Sequence, residues 1–221
     1  MKLTVDAVIF GYVENDLKIL LIKRMYEPFE NHWALPGGYV KEDESIDDAV
    51  EREVSEETGI ESLYLEQLYT FGTPERDPRG RIVSIAYYGL VKPSDYNIQA
   101  STDAKEAEWF SVDNIPNDLA FDHLEIIQTA LIRLKGKVSY MPIGFELLPE
   151  KFPFSSIQNL YETVLDQEFD RRNFSKKFHK LDILDKLDEK QTNVKNRPGN
   201  LYKFNKDKYN KKLKDGFYFE V

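Results

Sequence analysis

The chain has 221 residues, 41% hydrophobic and 13% aromatic, enough to bury a core in one large domain or two small ones. It contains no cysteine, which excludes a disulfide framework, a thiolate metal site and a thiol nucleophile. The net charge of −9 is unevenly spread: residues 137–221 carry 17 Lys/Arg against 13 Asp/Glu, a balance of +4, which leaves −13 for residues 1–136 and suggests two modules with different partners.

The first stretch, MKLTVDAVIFGYVENDLKILLIKR, is broken by Glu14, Asn15, Asp16 and Lys18. It lacks the basic start, continuous apolar run and small-residue cleavage site of a secretory signal. No run approaches the roughly 20 apolar residues of a spanning helix. The expectation is a cytoplasmic protein without membrane contact. LTVDAVIFGYV, LKILLIKR, LYLEQLYTFG, IVSIAYYGLV and EAEWFSV read as strands, by alternation and by β-branched and aromatic content. Between the second and third, SIDDAVEREVSEETGI carries Ile46, Val50 and Val54 at helical spacing, with Ser45 and Asp48 as a capping box and Gly59 as the stop. A second helix is expected from about Phe121 to Lys135, ended by Gly136. Strands mixed with two helices predict an α/β (α+β) sandwich over residues 1–137.

After Gly136 the texture changes. VSYMPIGFELLPEKFPF, with three Pro and one Gly, reads as a linker over residues 138–153. Residues 154–221 then open with the helix SSIQNLYETVLD, burying Ile157, Leu160, Tyr161 and Val164. The helix DRRNFSKKFHKLDILDKL follows, with Phe174, Phe178 and Leu181 inward, and then a hairpin around Pro198-Gly199.

Glu53, Glu56 and Glu57 stand at i, i+3 and i+4, so their carboxylates share one helical face opposite the apolar stripe. Carboxylates so close repel unless a cation sits among them, and hard oxygen ligands from one helix suit Mg2+ or Mn2+. Arg52 is placed to pair with Glu44 or Glu56. Gly37 and Gly38 give a backbone that can approach a metal closely. The spacing from Gly38 through Glu44 to Arg52-Glu53-Val54-Ser55-Glu56-Glu57-Thr58-Gly59-Ile60 resembles the Nudix box at every defined position, and HWALPGGYV resembles the strand that leads into it.

That resemblance, over roughly residues 3–135, implies the Nudix sandwich and a ligand of the nucleoside-diphosphate-linked type. It also implies Mg2+-assisted attack of water on a pyrophosphate phosphorus. Glu53 and Glu57 are then the prime metal ligands, with Glu56 either a third ligand or the partner of Arg52. Asp103 and Glu106 are candidates for the general base. TPERDPRGR places Arg76, Arg79 and Arg81 in one loop, where guanidinium forks suit phosphates. The loop resembles a segment of Nudix proteins that handle ADP-ribose and related dinucleotides. Arg24 and Trp33 join Gly37, Gly38 and these arginines as ligand-binding candidates, with His32 and Phe71 as further rings able to stack on a base.

Two helices, the second basic, followed by a hairpin make the winged-helix pattern, in which the second helix enters the major groove N-terminus first. Arg171, Arg172 and Asn173 have side chains that match base edges, whereas Lys176, Lys177 and Lys180 suit phosphates. Lys195 and Arg197 on the wing are placed for backbone or minor-groove contact. With YMPIGFELLPEKF and LDQEFDRRNFSKKF, the whole chain resembles the Nudix-related transcriptional regulators of the NrtR type. The resemblance implies a homodimer that binds operator DNA and senses a small effector, ADP-ribose or a sugar. The alternative is a working Nudix pyrophosphatase, because this box is complete, with a bifunctional enzyme-regulator between the two.

Overall fold

The computed structural model describes residues 1–61, 63–96, 98, 104–192, 198–216 and 219. The chain divides into two units, Met1–Arg133 and Leu134–Val221.

The first unit is built on a seven-stranded mixed sheet. Its central path runs β3 (Trp33–Ala34), β2 (Asp16–Arg24), β1 (Lys2–Val13), β6 (Ile82–Val91), β5 (Tyr64–Phe71), while β4 (Gly37–Tyr39) pairs with β1 and β7 (Ala104–Ser111) with β2. β1 and β6 are parallel and the remaining pairs antiparallel. Val5, Ala7, Val8, Ile9 and Phe10 are fully buried in a row, because both faces of the central strand are covered. On one face Val5, Ala7 and Ile9 pack with Ala49, Val50 and Val54 of α1 (Ile46–Thr58). By the two-residue period of a strand, Thr4 and Asp6 lie on the opposite face.

The division into units falls within α2 (His123–Tyr140). Gly136 does not stop this helix: the next turn is anchored by Val138, which is 1% exposed, and an interior glycine costs only about 1 kcal/mol relative to alanine.

In the second unit the stretch expected as a linker enters the core. A 3-10 helix at Pro142–Leu147 buries Ile143, Phe145 and Leu147, and the Phe145 ring stacks on Phe204 at 4.4 Å and Phe152 at 5.7 Å. β8 (Phe152–Pro153) leads into α3 (Phe154–Leu165) and α4 (Arg171–Leu181), whose inward faces are the expected Ile157, Leu160, Tyr161 and Val164 against Phe174 and Phe178. The last part of the basic segment, expected to continue the helix, does not. Asp182 adopts the left-handed conformation (φ 48) and ends α4, and Leu184–Lys190 forms strand β9. β9 pairs with β10 (Asn200–Phe204), which pairs in turn with β8. A final helix, α5 (Lys206–Lys214), starts at an Asn205 cap. Among the described residues, no helix is long and apolar enough to cross a membrane.

Candidate functional site: an acidic cleft and a basic helix

The register of α1 is set at both ends. Ser45 Oγ accepts from the Asp48 N–H at 3.0 Å while Asp48 accepts from the Ser45 N–H, and Gly59 closes the helix at φ 73. The three glutamates therefore emerge at fixed angles into different surroundings. Glu57 is 5% exposed and its Oε2 accepts the Gly37 N–H at 2.9 Å. Glu53 lies beneath Gly38, where a Cβ would sit 2.4 Å from Glu53 Oε1, so a side chain there would push the carboxylate aside. Glu56 points outward and pairs with Arg52 at 3.2 Å.

Arg52 is the hub of this wall. It donates to both oxygens of Glu44 (2.9 and 2.6 Å), to Glu53 Oε1 (2.8 Å) and to the Tyr39 carbonyl (3.2 Å). Its bond, helped by the Lys41 N–H, holds the Glu44 carboxyl down to about 2. Burial pushes the Glu53 carboxyl up, against the pull of Arg52. Both suggested partners of Arg52, Glu44 and Glu56, are thus engaged. Among the described residues no three Asp, Glu or His side chains already converge on one point. Glu53 and Glu57 offer two hard-oxygen donors beside a glycine backbone. That set fits Mg2+ or Mn2+ bound through a couple of carboxylates, with waters and phosphate oxygens completing the shell.

These carboxylates line a cleft of about 360 Å3, together with Thr4 and Asp6 of β1, Arg24, Tyr26, Tyr39, Asp77, Arg79, Phe121 and His123. The cleft also carries cations. Arg24 and Arg79 both lie against the Phe121 ring, at 5.0 and 5.3 Å. Arg24 is held by the carbonyls of Pro28 (2.9 Å) and Tyr26 (3.3 Å), and burial followed by the nearby charge of Arg79 lowers its pKa. Arg79 grips Asp77 with Nε and Nη2 and also covers the Tyr39 ring at 5.4 Å.

The three arginines of the RDPRGR loop have different fates. Arg76 is buried, bidentate to Asp122 (2.8 and 2.6 Å) and 3.7 Å from Asp6, so it braces the loop. Arg76 and Arg79 both line the cleft. Arg81 turns to the Gly72 carbonyl and does not line it. Trp33 also lies elsewhere, edge-on to Phe110 (4.7 Å) with Lys23 over its face, while Phe71 packs on Tyr69 and His32 on Phe29. Glu106 sits on β7, 3.3 Å from Lys23 and off the cleft wall, and Asp103 lies outside the described residues. Sequence reasoning missed Asp6, Asp77, Phe121 and His123. Asp6 left a trace, because an aspartate amid the apolar residues of β1 needs buried partners.

In the second unit, Asp170 caps α4 by accepting the Asn173 N–H at 2.9 Å. Phe174, Phe178 and Leu181 turn inward, which leaves Arg171, Arg172, Asn173, Lys176, Lys177 and Lys180 exposed. None of these cations is in an ion pair among the described residues. Lysines around α5 differ: Lys206 meets Glu146 at 2.6 Å, Lys208 meets Asp185 at 2.9 Å, and Lys203 pairs with Glu150. Lys195 and Arg197 lie outside the described residues.

The sandwich with its glutamate helix, and the helix pair backed by a β-hairpin, define a Nudix domain joined to a winged helix. A family model of the NUDIX domain matches residues 2–130, and one described as the NrtR DNA-binding winged helix domain matches residues 144–204; the chain belongs to the NrtR-type branch of the Nudix family. It is 35% identical over 205 residues, 91% of this chain and 81% of the relative, to an ADPR responsive transcriptional repressor, NtrR, of Acinetobacter baylyi. It is 45% identical over 118 residues, 53% of this chain and 68% of the relative, to an ADP-ribose pyrophosphatase of Methanocaldococcus jannaschii. The crystal structure of Shewanella oneidensis NrtR complexed with a 27mer DNA superposes with a TM-score of 0.79 at 32% identity, covering 98% of this chain and 97% of that one.

Proposed function

We propose that this chain is an ADP-ribose-responsive transcriptional regulator that acts as a homodimer on operator DNA in the cytoplasm. The observation that carries this reading is α4, an N-capped helix whose exposed cations, Arg171, Arg172, Lys176, Lys177 and Lys180, are in no ion pair among the described residues. Arg171, Arg172 and Asn173 at its N-terminus are the residues for base edges, with Lys176, Lys177 and Lys180 for phosphates. Lys195 and Arg197 would extend the contact to the backbone or the minor groove. In the cleft, Arg24 and Arg79 supply positive charge for a diphosphate. Tyr26, Tyr39 and Phe121 supply the ring surface that a nucleotide needs. The relative described as ADPR responsive supports the choice of effector. The test is a mobility shift on the protein's own upstream DNA, with and without ADP-ribose and candidate sugars. ADP-ribose should move the midpoint by about 5- to 150-fold, the usual span of allosteric coupling. Protein that binds neither its upstream region nor random duplex at low salt would end this reading.

A second activity is favoured by the complete box, with Glu53 and Glu57 both on the cleft wall: hydrolysis of ADP-ribose and water to AMP and ribose 5-phosphate. Glu53 and Glu57 would hold Mg2+, with Arg52 restraining Glu53 and Glu56. When bound, the ion supplies charge neutralisation and an acidified water. Arg24 and Arg79 would orient the diphosphate in the same cleft. Failure to turn over ADP-ribose or a panel of nucleoside diphosphate sugars in excess Mg2+ or Mn2+ would leave a sensing domain alone.

A further inference from the structure

The Leu35–Gly38 segment turns into β4, whose Gly37 and Gly38 pair with Asp6 and Val5 of β1, and it is bonded to three different elements. The Leu35 N–H donates to His123 Nδ1 at 2.9 Å, the Pro36 carbonyl accepts from the Ala7 N–H at 2.9 Å, and the Gly37 N–H donates to Glu57 at 2.9 Å. Gly38 then passes directly over the Glu53 carboxylate. The turn is therefore the backing of both cleft glutamates, and its first peptide hangs on one imidazole from the start of α2.

His123 is 3% exposed. A neutral imidazole accepts at only one nitrogen, so the bond from Leu35 places the ring proton on Nε2. Nε2 faces Asp6 Oδ1 at 3.6 Å, a separation for electrostatic attraction rather than a hydrogen bond. Asp6 is itself located by the Ser84 hydroxyl, which donates to its Oδ2, and by Arg76 at 3.7 Å. Burial lowers the pKa of His123 and keeps the ring neutral, with Arg76 and Arg24 acting the same way and Asp6 and Asp122 opposing.

We propose that His123 is a positioning residue whose Nε2–H imidazole fixes the backbone of Leu35–Gly38 and, through it, sets Glu53 and Glu57 in the cleft. The consequence for ligand rests on the reading of the cleft as a site for ADP-ribose and a divalent cation. Leu35 is 2% exposed, so removing the acceptor leaves a buried N–H unsatisfied and frees the turn to seek another partner.

The test compares two replacements in the full chain. His123→Asn keeps a carbonyl oxygen near the place of Nδ1, whereas His123→Leu fills the volume with no acceptor. Amide hydrogen exchange at Leu35 and Gly37, measured without ligand, should stay slow in the wild type and the Asn variant. It should quicken about tenfold or more in the Leu variant. Mn2+ affinity by calorimetry should fall with it by a similar factor in the Leu variant and hold within about threefold in the Asn variant. A core-filling role predicts the reverse order, since buried Leu is tolerated better than buried Asn. That order, equal exchange in the two variants, or fast exchange with unchanged Mn2+ affinity overturns the proposal. Should the Leu variant fail to fold, 15N shifts of the wild-type imidazole decide it, with a proton on Nε2 supporting the assignment and one on Nδ1 overturning it. A wild type that binds neither Mn2+ nor ADP-ribose ends the reading of the cleft, while the exchange pattern still decides what holds the turn.

Discussion

The cleft of the first unit and the outer face of α4 are both densely charged, yet they use charge in opposite ways. Around the cleft, charges are tied to one another: Arg52 binds Glu44, Glu53 and Glu56, Arg76 binds Asp122, and Arg79 binds Asp77, while Arg24 is held by backbone carbonyls. On α4 the cations face water. Paired and buried charge is preorganised, so the cleft can discriminate ligand geometry with little reordering when a ligand arrives. Solvated charge draws its affinity from release of counterions around DNA and is governed by salt. A sensing site and a nucleic-acid surface are what these two arrangements suit, respectively.

The severest test of the first half of this contrast is Arg76, whose side chain is only 3% exposed. Arg76→Ala strands Asp122 and removes the nearest cation from Asp6, and should destabilise the first unit by about 3–5 kcal/mol in urea denaturation. Replacing the pair together, Arg76→Met with Asp122→Leu, should recover most of that loss, because the penalty lies in the orphaned charge rather than in the missing bond. A loss below about 1 kcal/mol in the single variant would mean that the pair behaves as a surface salt bridge, and the contrast with α4 would vanish.

Glu57→Gln probes the same wall more gently. The amide oxygen can still accept the Gly37 N–H, so the fold should hold while the negative charge is lost. Mn2+ affinity should drop about 10- to 100-fold, at least the range that even an outer-shell partner commands. Calorimetric titration of this variant beside Glu53→Gln decides it, and unchanged affinity in both would remove the metal assignment.

On α4, Arg172→Ala and Asn173→Ala should each weaken specific operator binding by about 1–3 kcal/mol if their side chains read bases, with little loss on random duplex. Asn173→Ala leaves the helix cap in place, since Asp170 is bonded to its backbone N–H and not to its side chain. Equal losses on specific and random DNA would turn both residues into phosphate-binding ones. A dimer further requires two half-sites about one helical turn, or a multiple of it, apart, which footprinting measures.

What the sequence made legible was local. The Ser45–Asp48 box, the Gly59 stop and the i, i+3, i+4 glutamates are short-range features, and α1 carries all of them. The inward Phe174 and Phe178 followed in the same way from helical spacing. What stayed hidden depends on partners far along the chain. Arg76 and Arg79 are indistinguishable in RDPRGR, and only Asp122, 46 residues away, makes the first a brace. Leu35 and His123 meet across 88 residues. Chain breaks also misled, because Gly136 is overruled by the burial of Val138, while Asp182 ends α4 in a left-handed conformation that non-glycine residues seldom adopt.

The finest distinction concerns Lys177, which is exposed on α4 beside the buried Phe178. An ammonium on a flexible stem is a point charge with no fork to match a base edge, so its contribution should be to phosphate and independent of sequence. Lys177→Ala should weaken specific and random duplex by the same small factor. It should also make the plot of log affinity against log salt shallower by about one, as removal of a single phosphate-neutralising charge requires. The stability of the folded chain should stay within about 0.5 kcal/mol of the wild type, as expected for a surface change. The measurement is a salt titration of binding by fluorescence anisotropy on both duplexes. A slope that does not move places Lys177 off the DNA and narrows the interface to the residues nearer Asp170. A loss confined to the specific duplex would instead make it a base-reading residue, against the division of labour argued for this helix.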